Sequence, residues 1–178
     1  MCSSDLSLSM LTIWKFVDGK RGHESQSSGL IEAIGKNQDI QVHEIQTATL
    51  PRLPFQILGW FIRKKPNTYP SSRPDLIIGA GRQTHVPMLI AKSFCGGKTV
   101  VLMRPSLPTS FYDLVVVPQH DEVVLRDNIV EIKGVLNVIK HSADKDEHNG
   151  LMLIGGQSTH YKWNNQQVVE QIKQIVRN

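Results

Sequence analysis

The chain reads as an α/β protein with a doubly wound, mostly parallel sheet. Short β-branched runs recur along its 178 residues, several of them apolar throughout, as strands covered on both faces are. Helical patterns separate many of these runs, and strand–helix alternation implies βαβ crossovers. Glycines and hydroxyls gather directly after several strands, at the edge where such sheets bind ligands.

In order along the chain, "LTIWKFV" (11–17) is the first strand, and "DGKRGHES" leads from it into a helix over 25–36 with Leu30, Ile31 and Ile34 on one face. "IQVHEI" (40–45) is the second strand. Within "LPRLPFQILGWFIRKK" (50–65) a helix follows Pro54, apolar around most of its surface, with three cations at its C-terminal end, where the helix dipole favours them. "DLIIGA" (75–80) is the third strand. The helix after it is expected at 85–95, with Thr84 as N-cap and Pro87 in the first turn, where a missing N–H costs little. "KTVVLM" (98–103), "DLVVVP" (113–118) and "IVEIKG" (129–134) are further strands. "LMLIGG" (151–156) would be a seventh, before a helix at 164–177 with Val168, Ile172, Ile175 and Val176 on one face. Asn164 and Gln167 resemble a capping box at its start. The polar, charged "KHSADKDEHNG" reads as a linker. The expected organisation is a tail at 1–9, a domain at 10–140, a linker at 141–150 and a βα unit at 151–178. That last unit either closes the sheet or opens a second, truncated domain.

Twenty Lys and Arg against 16 acids give a formal charge of +4. This mild excess suits an anionic small molecule or an acidic membrane surface. No basic stripe with interleaved aromatics is present, so nucleic acid is not the expected partner. The two cysteines, Cys2 and Cys95, offer neither metal spacing nor a disulfide framework, and a reducing, cytoplasmic setting is the default. The first residues lack a signal-peptide pattern, and no run approaches the ~18 apolar residues of a membrane span.

Two loops have the composition of anion cradles. In the first, Gly19 and Gly22 bracket Lys20 and Arg21, and His23 follows just before a helix. Glycine lets backbone N–H groups approach an anion, and a helix start adds partial positive charge. The spacing is neither a dinucleotide fingerprint nor a P-loop. An imidazole here could serve as a base near neutral pH, but a plain strand-to-helix turn accounts for the same residues. In the second, Gly155 and Gly156 end an apolar run, and Ser158 and Thr159 follow. "GAGRQTH" adds Gly81, Arg82 and Thr84 after the third strand. Residues 60–65 admit two readings, a core helix with a basic end, or a membrane-facing patch with Trp60 and Phe61 at headgroup depth and Arg63, Lys64 and Lys65 on anionic lipid.

Taken in order, "WKFVDGKRGHESQSSGLIEAI", "PDLIIGAGRQTHVPMLIAK", "GGKTVVLMRPSLP", "YDLVVVPQHD", "KGVLN" and "LMLIGGQSTHYKW" resemble the mitochondrial-fission (elongated-mitochondria) protein family, whose many bacterial members are described as glycosyltransferase-like. The resemblance implies a GT-B architecture of two Rossmann-like domains facing a cleft. This chain would supply the N-terminal domain and the first βα unit of the second, giving a glycosyltransferase when intact and an inactive chain when alone. The first loop is also similar to the Gly-Gly-His loop of the lipid-linked peptidoglycan N-acetylglucosaminyltransferase. That similarity implies His23 as base, with Gly19, Lys20, Arg21, Gly22, Gly81, Arg82 and Thr84 on the acceptor's anionic group. Gly155, Gly156, Ser158 and Thr159 would meet the diphosphate of a nucleotide sugar. The implied partners are a nucleotide sugar and a lipid-linked acceptor, with peripheral contact to the inner membrane and neither metal nor cofactor. Plant members of the family recruit a dynamin-related GTPase, which implies a non-catalytic adaptor as the alternative.

Overall fold

A computed structural model describes residues 10–49, 54, 66–140, 146, 148–154 and 163–177. The chain divides into two compact units, 1–140 and 141–178. The first unit holds β1 (Leu11–Val17), α1 (Arg21–Gly35), β2 (Ile40–Gln46), β3 (Leu76–Ala80), α2 (Arg82–Cys95), β4 (Lys98–Leu102), β5 (Leu114–Pro118) and β6 (Ile129–Ile132). All six strands form one parallel sheet in the order β2-β1-β3-β4-β5-β6, a Rossmann-like arrangement.

That order contains one reversal of direction. From β1 the chain steps outward to β2, then returns to place β3 on the other side of β1. Crossovers between parallel strands are right-handed, so opposite steps put their helices on opposite faces. The core has this form. On one face Leu30, Ile31 and Ile34 of α1 pack over Ile13, Ile78, Val100, Leu102 and Val116. On the other, Met88, Ala91 and Cys95 of α2 pack over Trp14, Phe16, Ile77, Val101, Val115 and Val117. Successive strand residues alternate between the two clusters, so the central strands are buried on both faces and read as unbroken apolar runs. Each fully buried side chain of this kind contributes roughly 1.5–3 kcal/mol.

The crossovers from β4 to β5 and from β5 to β6 use short 3-10 turns, Thr109–Phe111 and Gln119–Asp121, in place of helices. Leu107, Tyr112 and Val123 from these segments join the α2-side cluster. After β6 the chain returns over α1. Leu136 joins the α1-side cluster, and the backbone of Asn137 lies so close to Gly29 that a Cβ there would stand 2.5 Å from the Asn137 carbonyl oxygen. The N-terminal edge of the sheet is tied by two aspartates that each precede a Leu. Asp75 accepts from the Thr12 N–H at 2.7 Å. Asp113 accepts from the Thr99 N–H at 2.9 Å, from Lys92 at 2.6 Å and from Lys98 at 3.1 Å. Burial works against the charge of Asp113, but these donors outweigh it and hold its carboxyl well below the ordinary carboxylate range.

Three boundaries differ from the sequence reading. Helix α1 begins at Arg21, because an Asp-Gly turn completes the reversal in three residues: Gly19 has φ +80°, and Asp18 Oδ1 accepts the Lys20 N–H at 3.2 Å. Helix α2 begins at Arg82, so Thr84 is not its N-cap. Gly81 holds that position, and the Thr84 hydroxyl donates back to its carbonyl at 2.8 Å. Pro87 consequently falls in the second turn, where it leaves the Gln83 carbonyl without its helical donor. Finally, residues 151–154 are exposed and form no strand. Among the described residues of the second unit there is no other strand with which they could pair. The same unit contains α3 (Asn165–Arg177), capped by Asn164, whose Oδ1 accepts the N–H groups of Gln166 and Gln167 at 3.0 and 3.3 Å.

Candidate functional site

The reversal in strand order places the ends of β1 and β3 side by side, the position at which doubly wound sheets open a crevice. Three residues meet there. Asp18 follows β1, His23 sits in the first turn of α1, and Gly81 joins β3 to α2. The Asp18 side chain is 1% exposed and that of His23 is 21% exposed, with His23 Nδ1 2.8 Å from Asp18 Oδ2. A carboxylate only accepts, so Nδ1 carries the proton and Nε2 presents its lone pair. Asp18's second oxygen is held by the Lys20 N–H. Gly81 (φ +88°) closes the arrangement: a Cβ there would collide with His23 Nδ1 and stand 2.8 Å from Asp18 Oδ2.

A second histidine lies deeper. His85, in the first turn of α2, is 2% exposed. Its Nδ1 accepts the Ser106 N–H at 3.1 Å and lies 2.9 Å from the Ser106 hydroxyl. Accepting from a backbone N–H leaves Nδ1 unprotonated, so the proton is on Nε2. Burial foremost, then the charges of His23 and Arg82, lower its pKa to about 4. The neutral ring thus pins the loop after β4 to the start of α2. That loop begins with Met103, whose φ of +71° is unusual for a side-chain-bearing residue and whose sulfur accepts from Gln26 of α1 at 3.2 Å. Tyr112, edge-on to His85 at 6.1 Å, has its phenol pushed up to about 12 by burial.

Of the residues singled out in the sequence, the structure brings His23 and Gly81 into direct apposition. Gly19, Lys20, Arg21, Gly22 and Arg82 are exposed around them. Thr84 is fully buried, with its hydroxyl engaged within the helix turn. Gly155, Gly156, Ser158 and Thr159, and the patch residues Trp60, Phe61, Arg63, Lys64 and Lys65, lie outside the described residues. Asp18 is the participant that sequence reasoning missed. Its signal was the Asp-Gly turn, which brings a carboxylate back towards the helix start and the histidine five residues on.

The family described as mitochondrial fission ELM1 matches residues 21–178. An uncharacterized protein of Rickettsia prowazekii (strain Madrid E) is 28% identical over 159 residues, 82% of this chain and 45% of that protein. The chain therefore spans about half the length of the curated relative it matches. No solved structure matches it. No helix among the described residues is long and apolar enough to cross a membrane.

Proposed function

The chain belongs to the mitochondrial fission ELM1 family, and from that premise we propose that it forms the acceptor-side domain of a GT-B-like glycosyltransferase, which moves a sugar from a nucleotide-sugar donor to a hydroxyl of a membrane-linked acceptor. The observation that carries this reading is the His23–Asp18 pair seated against Gly81 where the strand order reverses. An imidazole whose Nδ1–H is held by a buried carboxylate has its other nitrogen open as a base. In the proposed step, Nε2 of His23 takes the acceptor's hydroxyl proton as the oxygen bonds to the anomeric carbon. The bond from that carbon to the diphosphate breaks, and the nucleoside diphosphate leaves with the electron pair. Lys20, Arg21 and Arg82 would neutralise the acceptor's anionic group, with Gly19 and Gly22 permitting close approach. Gly155, Gly156, Ser158 and Thr159 would bind the donor's diphosphate, and residues 60–65 would contact the inner membrane.

Turnover of a panel of nucleotide sugars by a two-domain version of the protein tests the base. His23→Ala should lower the rate about 10²–10⁴-fold with donor binding nearly intact. Asp18→Asn should also lower it, since an amide can favour the wrong tautomer. Unchanged turnover in His23→Ala rules out the base assignment. The alternative implied by the resemblance to plant members is a second reading, an adaptor that recruits a dynamin-related GTPase. In that case a pull-down should capture a GTPase equally well with wild type and His23→Ala, and capture of none counts against it.

A further inference from the structure

On the α2 side of the sheet, the two helix-free crossovers line a solvent-open cavity of about 270 Å³ between residues 104–110 and 123–126. The charged residues that line it are Arg104 and Arg126, with no acidic residue. Thr109 and Ser110 bring hydroxyls, and Leu107 and Val123 an apolar floor. We propose that this cavity binds a small organic phosphate, with the phosphate on the two arginines and the carbon skeleton against Leu107 and Val123.

Part of the lining is tied to the rest of the fold. Leu107 and Val123 pack against the α2-side core. Asn128 joins the two crossovers, its amide donating to the carbonyls of Thr109 and Tyr112 at 2.8 and 2.9 Å. Arg104 is set in place by Asp121, whose carboxylate accepts the Arg104 backbone N–H at 3.1 Å and whose carbonyl accepts from Nη1 at 3.4 Å. The Asp121 carboxylate is therefore engaged by the main chain, and neither guanidinium has an ion pair with a carboxylate among the described residues. Two arginines and no acidic residue in the lining favour an anion there over a cation. Guanidinium forks match phosphate oxygens in pairs, which favours phosphate over a spherical anion. The volume lies just under the ~300–1,000 Å³ of small-molecule sites, and the apolar floor gives an organic body surface to cover. The inference does not depend on the glycosyltransferase reading, because neither His23 nor Asp18 takes part.

The test is amide-resolved NMR titration of the full chain with phenyl phosphate, inorganic phosphate and phenol. Phenyl phosphate should give saturable shifts at Thr109, Ser110, Val123 and Val124, with at least tenfold weaker binding for inorganic phosphate and for phenol. Arg126→Gln should weaken phenyl phosphate binding at least tenfold, and His23→Ala should leave it unchanged. Among the described residues Arg126 makes no side-chain hydrogen bond or ion pair, so this variant remains interpretable if Arg104→Gln disturbs its loop. The proposal is overturned by shifts that do not saturate, by Arg126→Gln binding as tightly as wild type, or by shifts centred on residues 18–23 and 81–85.

Discussion

His23 and His85 stand on neighbouring segments, and their partners hold the rings in opposite tautomers. The buried carboxylate of Asp18 puts the proton on Nδ1 of His23, and the backbone N–H of Ser106 keeps it off Nδ1 of His85. The first arrangement leaves an open lone pair at a partly exposed site, whereas the second makes a neutral structural pin. This difference was not legible from the sequence, where both histidines follow glycine-containing turns and look equivalent. The pin has a consequence for stability. In the unfolded chain His85 titrates near its ordinary 6.5, and in the fold at about 4. Between those values the unfolded state binds the extra proton, so the contribution is fully present above the unfolded value and is lost as pH falls towards 4. The full loss is at most about 3 kcal/mol. Urea midpoints at pH 7 and pH 4.5 should fall more for wild type than for His85→Asn, whose amide oxygen can replace Nδ1 as acceptor. Equal falls would show that His85 does not carry this dependence.

At the scale of elements, strand positions were the most readable part, because double-sided burial makes each central strand a short apolar run. Helix starts were the least readable. Helices α1 and α2 begin four and three residues before the starts expected from the sequence, since a glycine turn completes each reversal quickly. Glycines within helices carry opposite meanings that only the fold separates. Gly29 of α1 lies under the Asn137 backbone, and Gly22 faces open space. Gly29→Ala must move that backbone and should destabilise by about 1–3 kcal/mol, offset in part by the better helix propensity of Ala. Gly22→Ala, with nothing to displace, should stabilise by roughly 0.5–1 kcal/mol. Thermal melts of the two variants should therefore shift in opposite directions, and shifts in the same direction would contradict the close return of the chain over α1.

Across the whole molecule, the doubly wound class could be read from alternation alone, but neither the site nor the cavity could. Asp18 and His23 are five residues apart and meet Gly81 only because the strand order reverses between β1 and β3. Arg104 and Arg126 are separated by a complete strand and face one cavity only because both crossovers lie on the same face. The sheet and both of its covering layers belong to residues 10–140, which should fold without the rest. A polypeptide of residues 1–140 should unfold cooperatively on heating and show dispersed amide resonances. A broad, non-cooperative melt would mean that the second unit is needed to complete the first.

The space a Cβ would take at Gly81 is already filled by the ring of His23. Positions 23 and 81 are therefore not free to drift separately. A relative that acquires any side chain at 81 must give up the imidazole or swing it off its carboxylate. When such relatives are compared, a histidine at 23 should be accompanied by glycine at 81, and chains that have lost one should tolerate loss of the other.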